Sequence, residues 1–274
     1  MMKITPVVKQ LLILNIIFFV GSQIVPISYN LFSLYYPESD KFKLWQPLTH
    51  MFMHAPMPNF THILFNMFAL YSFGSALEHF WGGTKFIFFY ISCGLGAALL
   101  HTFVNYVQIH YLLNDIANLN LSKETLHQIL NVSFLDGDRY RSDLFLDGIK
   151  PILQHEGMFN QLNESNFGDL FNAAMINQST VVGASGAIYG LLVAFAFMFP
   201  TAELGIMFIP IPIKAKYFVP GLLAVDLFLG FRGQSIFGAG STGIAHFAHI
   251  GGAITGFIMM WYWKKKQFDH KRWN

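Results

Sequence analysis

Stretches of roughly twenty apolar residues recur along this chain, at 8–27, 60–80, 84–106, 183–200, 216–232 and 244–263. A helix needs roughly 20 apolar residues to cross the hydrocarbon core of a bilayer. Within lipid every backbone polar group must be bonded internally, so runs of this length select helices. The reading is an all-α, polytopic membrane protein with six transmembrane helices. The fifth run is short and interrupted by Pro220. Composition agrees: 54% of residues are hydrophobic and 12% charged, against about a quarter charged in soluble domains. A net charge of +2 and the lack of an arginine-rich stripe argue against a nucleic-acid partner. Cys93 is the single cysteine, so no disulfide forms within the chain. The first run lacks a small-residue cleavage site and reads as a retained span.

Basic residues near the span ends set the expected orientation. Lys3, Lys9, Lys85, Lys214, Lys216 and the tail residues Lys264, Lys265, Lys266, Lys271 and Arg272 fall on one side when six helices are threaded in order. Both termini are then cytoplasmic, although Lys41, Lys43 and Arg232 lie on the far side. Compactness suggests a bacterial inner (cell) membrane as the host of this multi-pass protein.

Two connections are too polar or too broken to span. Residues 28–58 read as a loop lying half in the interface, carrying Trp45, Gln46, His50 and His54. Residues 107–180 hold nine Asp and Glu against four Lys and Arg, and read as an extracytoplasmic helical cap. In it Ser122 caps a short helix, and Leu126, Ile129, Leu130 and Phe134 keep helical spacing. The organisation expected is 1–106 with helices one to three, 107–180 as the insertion, and 181–274 with helices four to six and a basic tail.

Three groups of residues carry candidate chemistry. Ser185 opens the fourth helix in Gly183-Ala184-Ser185-Gly186. The glycines allow a tight turn and close approach, and the free N–H groups of a helix start suit a developing anion. The alternative is packing, since Gly186, Gly190 and Ala194 repeat every four residues. His249 lies three residues before Gly252 and seven before Gly256, on one stripe of the sixth helix. That stripe matches the small face of the fourth helix, which would bring a base to the serine hydroxyl. Tyr189, one turn below Ser185, is placed to pack on the imidazole. On the second helix His62 and Asn66 share a face. Their N–H groups, with the Ser185 backbone N–H, are candidate donors to a tetrahedral oxyanion. The alternative for this pair is interhelical hydrogen-bond glue. A metal site built from His50, His54, His62, His246 and His249 is a third reading, disfavoured because no HExxH occurs and no carboxylate lies near these histidines in sequence. No metal or cofactor is expected.

In order and spacing these motifs resemble the rhomboid family of intramembrane serine proteases, of bacterial type with a long insertion between the third and fourth helices. The resemblance covers about 8–106 and 183–263 and makes the whole chain one rhomboid domain. It implies a serine endopeptidase that cuts transmembrane proteins in or near their membrane helix, with the bilayer and membrane-spanning substrates as partners. It implies Ser185 as nucleophile and His249 as general base, a dyad without a required carboxylate. His62 and Asn66 become oxyanion-hole side chains, Tyr189 a stacking support, and Gly183, Gly186, Gly252 and Gly256 close-packing supports. The fifth helix and 231–243 would form a lateral gate and its lid. Glu78-xxx-Gly82 reads as a structural contact. Trp45-Gln46 departs from the Trp-Arg of many bacterial members. Asp226 reads as a hydrogen-bonded or gate residue rather than a third triad member, and the spacing favours His249 over His246. The alternative function is a catalytically inactive relative that binds membrane proteins.

Overall fold

A computed structural model describes residues 3–137, 139–206, 209–232 and 244–268. Helices occupy each apolar run: Pro6–Ile24, Phe60–Trp81, Gly83–Asp115, Ser185–Met198, Ala215–Arg232 and Ile244–Phe268. The first three are long and apolar enough to cross a membrane, and the molecule is a polytopic helical bundle. The third helix runs on to Asp115, past its expected end at 106. The fourth is shorter than expected, 14 residues, or about 21 Å at 1.5 Å per residue. Pro200 disfavours helical backbone at the preceding residue, and Phe199 leaves the helix at φ −129°, ψ 60°. An antiparallel ribbon follows, Glu203–Ile206 with Ile209–Lys214, a β element outside the all-helical expectation. The expected lid lies, from residue 233 to 243, outside the described residues.

The chain divides into two compact units: Met1–Ser33 with Pro47–His101 and Val182–Asn274, and Leu34–Gln46 with Thr102–Val181. In the first, a core of Val8, Leu70, Leu77, Phe86, Phe89, Tyr90, Cys93 and Leu191 is closed to solvent. Large apolar side chains also cover the outside, among them Leu64, Phe68, Leu99, Phe228 and Phe257. An apolar exterior around a packed interior fits lipid as the surrounding solvent.

Glu78 ties the first helix to the second. Its carboxylate accepts hydrogen bonds from the backbone N–H of Val7 at 2.9 Å and of Val8 at 2.8 Å, and from the Thr5 hydroxyl. It therefore satisfies N–H groups that the first helix leaves without partners at its start, and its charge opposes the positive end of the dipole. Gly82 ends the second helix at φ +77°, where a side chain would be strained. Between Leu70 and Gly74 the second helix makes a π turn, which slips every later side chain round the axis relative to a regular helix. His62 and Asn66 precede that turn and keep their shared face.

The fourth and sixth helices meet backbone to backbone. A Cβ on Gly252 would stand 1.8 Å from the Gly186 carbonyl oxygen, and one on Gly256 would stand 2.8 Å from the Gly190 Cα. Without side chains at these positions the two axes approach closely enough for Ser185 and His249 to touch.

The second unit has its own core. Phe134 sits among Tyr140, Phe145 and Phe171, with centroids 5.2–5.5 Å from its ring. Ile149, Leu153 and Leu170 are buried with them. The helix Lys123–Leu130 starts at Ser122, whose hydroxyl accepts from the Thr125 N–H at 3.0 Å. Phe134 lies beyond this helix, just before the ribbon Leu135–Asp136 with Arg139–Tyr140, so the helical spacing read through it is corrected. Gln178 and Asn177, at the end of the helix Glu164–Gln178, donate to the Leu130 carbonyl at 2.9 and 3.1 Å, and Gln178 also donates to Val132. Gln46 is buried here: its amide donates to the Lys41 carbonyl at 3.0 Å and accepts from the Tyr35 N–H at 3.3 Å. Residues 34–46 of the first loop thus group with the insertion rather than with 1–106.

Candidate active site

Ser185 is the first residue of the fourth helix. The preceding turn depends on Gly183, at φ +126°, in the region that favours glycine. A Cβ there would also stand 2.9 Å from His62 Nε2. The Gly183 N–H donates to the His50 carbonyl at 2.9 Å, which anchors the turn to the first-loop residues of the same unit.

The Ser185 hydroxyl lies 2.8 Å from His249 Nε2 and donates to it. The Tyr189 ring stacks on the imidazole with centroids 4.3 Å apart and planes 12° apart. On the far side of the ring, His249 Nδ1 donates to Asp226 Oδ2 at 2.8 Å. The other carboxylate oxygen of Asp226 accepts from His246 Nδ1. Asp226 is 1% exposed. The expectation of Asp226 as a hydrogen-bonded residue therefore acquires definite partners, and both are histidines of the sixth helix. His246, buried at 5% exposure, bonds the carboxylate rather than Ser185.

The second helix supplies the opposite wall. His62 Nδ1 accepts from the Ala55 N–H at 3.2 Å. Its proton therefore belongs on Nε2, the nitrogen beside Gly183. Asn66 is buried, and its Nδ2 has no hydrogen-bond partner among the described residues. A buried amide without a partner is costly in a finished fold, and a donor held in that state is suited to a charge that appears only during a reaction. His54, in the loop, packs on His62 with centroids 5.2 Å apart. Burial, with the neighbouring His62 imidazole adding to it, pushes the His54 imidazole down to about 3, so it stays neutral. The sequence placed His54 in the half-immersed loop and in a metal reading, not beside His62. The signal for its position is the short interval from His54 to His62, which folds the loop back on the helix start.

The structure thus gathers Ser185, His249, Tyr189, His62 and Gly183 around one point, with Asn66 on the same wall. Gly186, Gly252 and Gly256 set the helix separation behind it. The ligand-type atoms of Asp226, His246 and His249 all lie within 4.8 Å of one another, so a carboxylate distant in sequence does reach these histidines. Each histidine directs its Nδ1 at the carboxylate. An apolar cleft of about 660 Å³ opens elsewhere in this unit, lined by Val193, Phe197, Val219, Leu223, Ile250 and Phe257, and Ser185 is not in its lining.

The rhomboid domain model matches residues 41–111 and 162–266, more than half of the chain. The chain belongs to the rhomboid family. It is also similar to an uncharacterized mitochondrial rhomboid protein of Schizosaccharomyces pombe, 25% identical over 249 residues, which are 86% of this chain and 55% of that protein. The chain spans about half the length of this curated relative. As a rhomboid, it is an integral membrane protein of a family associated with intramembrane proteolysis.

Proposed function

We propose that this rhomboid protein is an intramembrane serine endopeptidase, with Ser185 as nucleophile and His249 as general base. The observation that carries the reading is the 2.8 Å hydrogen bond from the Ser185 hydroxyl to His249 Nε2, on an imidazole clamped by Tyr189. A serine hydroxyl attacks a carbonyl only as its proton leaves, and Nε2 is positioned to take it. Oγ bonds to the scissile carbonyl carbon, and the proton moves to Nε2. The carbonyl oxygen becomes an oxyanion, for which the Ser185 backbone N–H, His62 Nε2–H and Asn66 Nδ2–H are the donors. The Nε2 proton then passes to the leaving amine as the C–N bond breaks. Water repeats the two steps on the acyl-enzyme, and the serine is freed.

The substrates are proteins with a membrane span, cut in or near it where the helix unwinds and a small residue precedes the bond. A fourth helix of about 21 Å is shorter than a hydrocarbon core of about 30 Å, so its first residue lies below one membrane surface and meets a span from the side. On the basic residues at the span ends, both termini face the cytoplasm and Ser185 opens towards the opposite side.

The test is labelling of the full-length protein in vesicles with a serine-reactive fluorophosphonate, followed by cleavage of a single-span reporter protein. Wild type is expected to label at Ser185 and to cut the reporter, whereas Ser185→Ala and His249→Ala do neither. Cleavage that persists in Ser185→Ala overturns the reading. An unlabelled wild type that still captures membrane proteins supports the inactive-relative alternative instead.

A further inference from the structure

We propose that Asp226 is a positioning residue of this centre: it holds His249 by Nδ1–H so that Nε2 faces Ser185, and His246 holds the carboxylate in turn. The inference rests on the protease reading above and extends the Ser185–His249 pair into a chain of four groups carried by the fourth, fifth and sixth helices.

Stacking on Tyr189 fixes the plane of the His249 ring. It does not fix which edge of the ring points at the serine, nor which nitrogen carries the proton. The bond from Nδ1 to Asp226 Oδ2, at 2.8 Å, decides both. With the proton on Nδ1, the lone pair is on Nε2, the nitrogen 2.8 Å from Ser185 Oγ. An acceptor at this one place selects the reactive tautomer, and a merely structural carboxylate has no reason to be there.

The cost of such a group explains the fourth member. A carboxylate in the interior of a membrane bundle is expensive unless it is paired and hydrogen-bonded. His246 satisfies the oxygen that His249 leaves free. The two histidines are three residues apart and share one helix face, so a single helix presents both donors to the fifth. The Tyr189 hydroxyl is a further neighbour of the carboxylate.

During attack the Ser185 proton moves to His249 Nε2 and the ring becomes an imidazolium. Its Nδ1 proton stays on nitrogen, and Asp226 stays ionised beside it. The carboxylate thus stabilises a positive charge that exists in the transition state and not in the resting pair. Among the described residues, the titratable groups facing His249 are Asp226 on the fifth helix, His246 on its own, Tyr189 and Ser185 on the fourth, and His62 on the second. Of these only Asp226 is an anion at neutral pH. Its removal takes away the negative charge beside the imidazolium that forms during attack.

The test is the rate constant for fluorophosphonate labelling of the full-length protein in vesicles, followed across pH. Asp226→Asn is expected to slow labelling on the order of 10²–10⁴-fold, by analogy with loss of the carboxylate in other serine hydrolases. The pH profile of its labelling is expected to change as well, which altered packing alone does not produce. The rate constant, unlike the labelled amount, reports only on molecules that fold. A measurement on wild type needs no variant: ¹⁵N resonances of the His249 ring should show the proton on Nδ1 at neutral pH. Labelling of Asp226→Asn within about threefold of wild type with an unchanged pH profile overturns the proposal, as does a resting proton on Nε2. Labelling that survives Ser185→Ala instead overturns the protease reading beneath it.

Discussion

The two units of this molecule reach stable packing by opposite means. In the first, the fourth and sixth helices touch through backbone at Gly186, Gly190, Gly252 and Gly256, while large apolar side chains such as Phe228 and Phe257 face outwards. In the second, Phe134, Phe145 and Phe171 fill the centre, and charged side chains such as Arg141 and Asp143 lie outside. Lipid offers a helix no hydrophobic gain from burying a leucine, so close approach and polar contacts must hold helices together. Water does offer that gain, and an insertion of polar composition uses it. The Ser185–His249 pair sits in the unit of the first kind, where backbone contact fixes the helices and the distance between the two residues depends on that fixed separation.

Gly252 is the sharpest point at which to break this contrast. A Cβ there would lie 1.8 Å from a main-chain oxygen, and no rotamer change relieves that clash. Gly252→Ala is expected to force the fourth and sixth helices apart, with a loss of cleavage on the order of 100-fold or more for a misplacement of about 1 Å. Labelling at Ser185 should fall in parallel. A variant that labels at the wild-type rate would show that side-chain contacts, not the glycine seam, set the Ser185–His249 distance.

The matching disruption in the second unit removes volume instead of adding it. Phe145 is fully buried against Phe134, Phe167 and Phe171. Phe145→Ala is expected to destabilise that unit by about 3–5 kcal/mol, the usual cost of emptying an aromatic core site. Hydrogen exchange should rise in 123–178, while the helix Ser185–Met198 keeps its protection. Equal loosening of both would show that they unfold as one cooperative body rather than as two.

These differences also explain what the amino-acid sequence discloses. Ser185, Gly186 and Gly190, like His249, Gly252 and Gly256, lie on regular helices, so spacings of three, four and seven residues translate directly into shared faces. His62 and Asn66 are legible for the same reason, because they precede the π turn at Leu70–Gly74. Asp226 is not legible in the same way. Its partners are twenty and twenty-three residues further on, and no periodicity within one helix reports a contact between two. Phe134 misleads because Asn131 ends the helix and a ribbon carries the chain on, while an apolar residue still falls at a helical interval. Gln46 reads as a departure from a family motif; its buried bonds to Tyr35 and Lys41 come from a local fold of the loop that composition does not encode.

The smallest expected effect separates the units by solvent. Arg141 bridges Asp136, at 2.9 Å, and Asp143 on the surface of the second unit. Its hydrogen bonds hold the Asp143 carboxyl down to about 2. Because the folded value lies below the unfolded one, near 3.9, the contribution is complete above pH 4. It disappears as pH falls from about 4 to about 2, where both states become protonated. Asp143→Asn is expected to remove a shallow, salt-sensitive part of the acid destabilisation of the second unit, read as a smaller drop in Tm between pH 5 and pH 2 at low ionic strength. Exposed pairs of this kind are screened by salt, so at high ionic strength the variant and wild type should converge. Asp226 of the first unit, 1% exposed, is screened far less, and its effect on labelling should persist in the same salt. Equal salt sensitivity at Asp143 and Asp226 would remove the distinction drawn here between charges held in water and charges held inside the bundle.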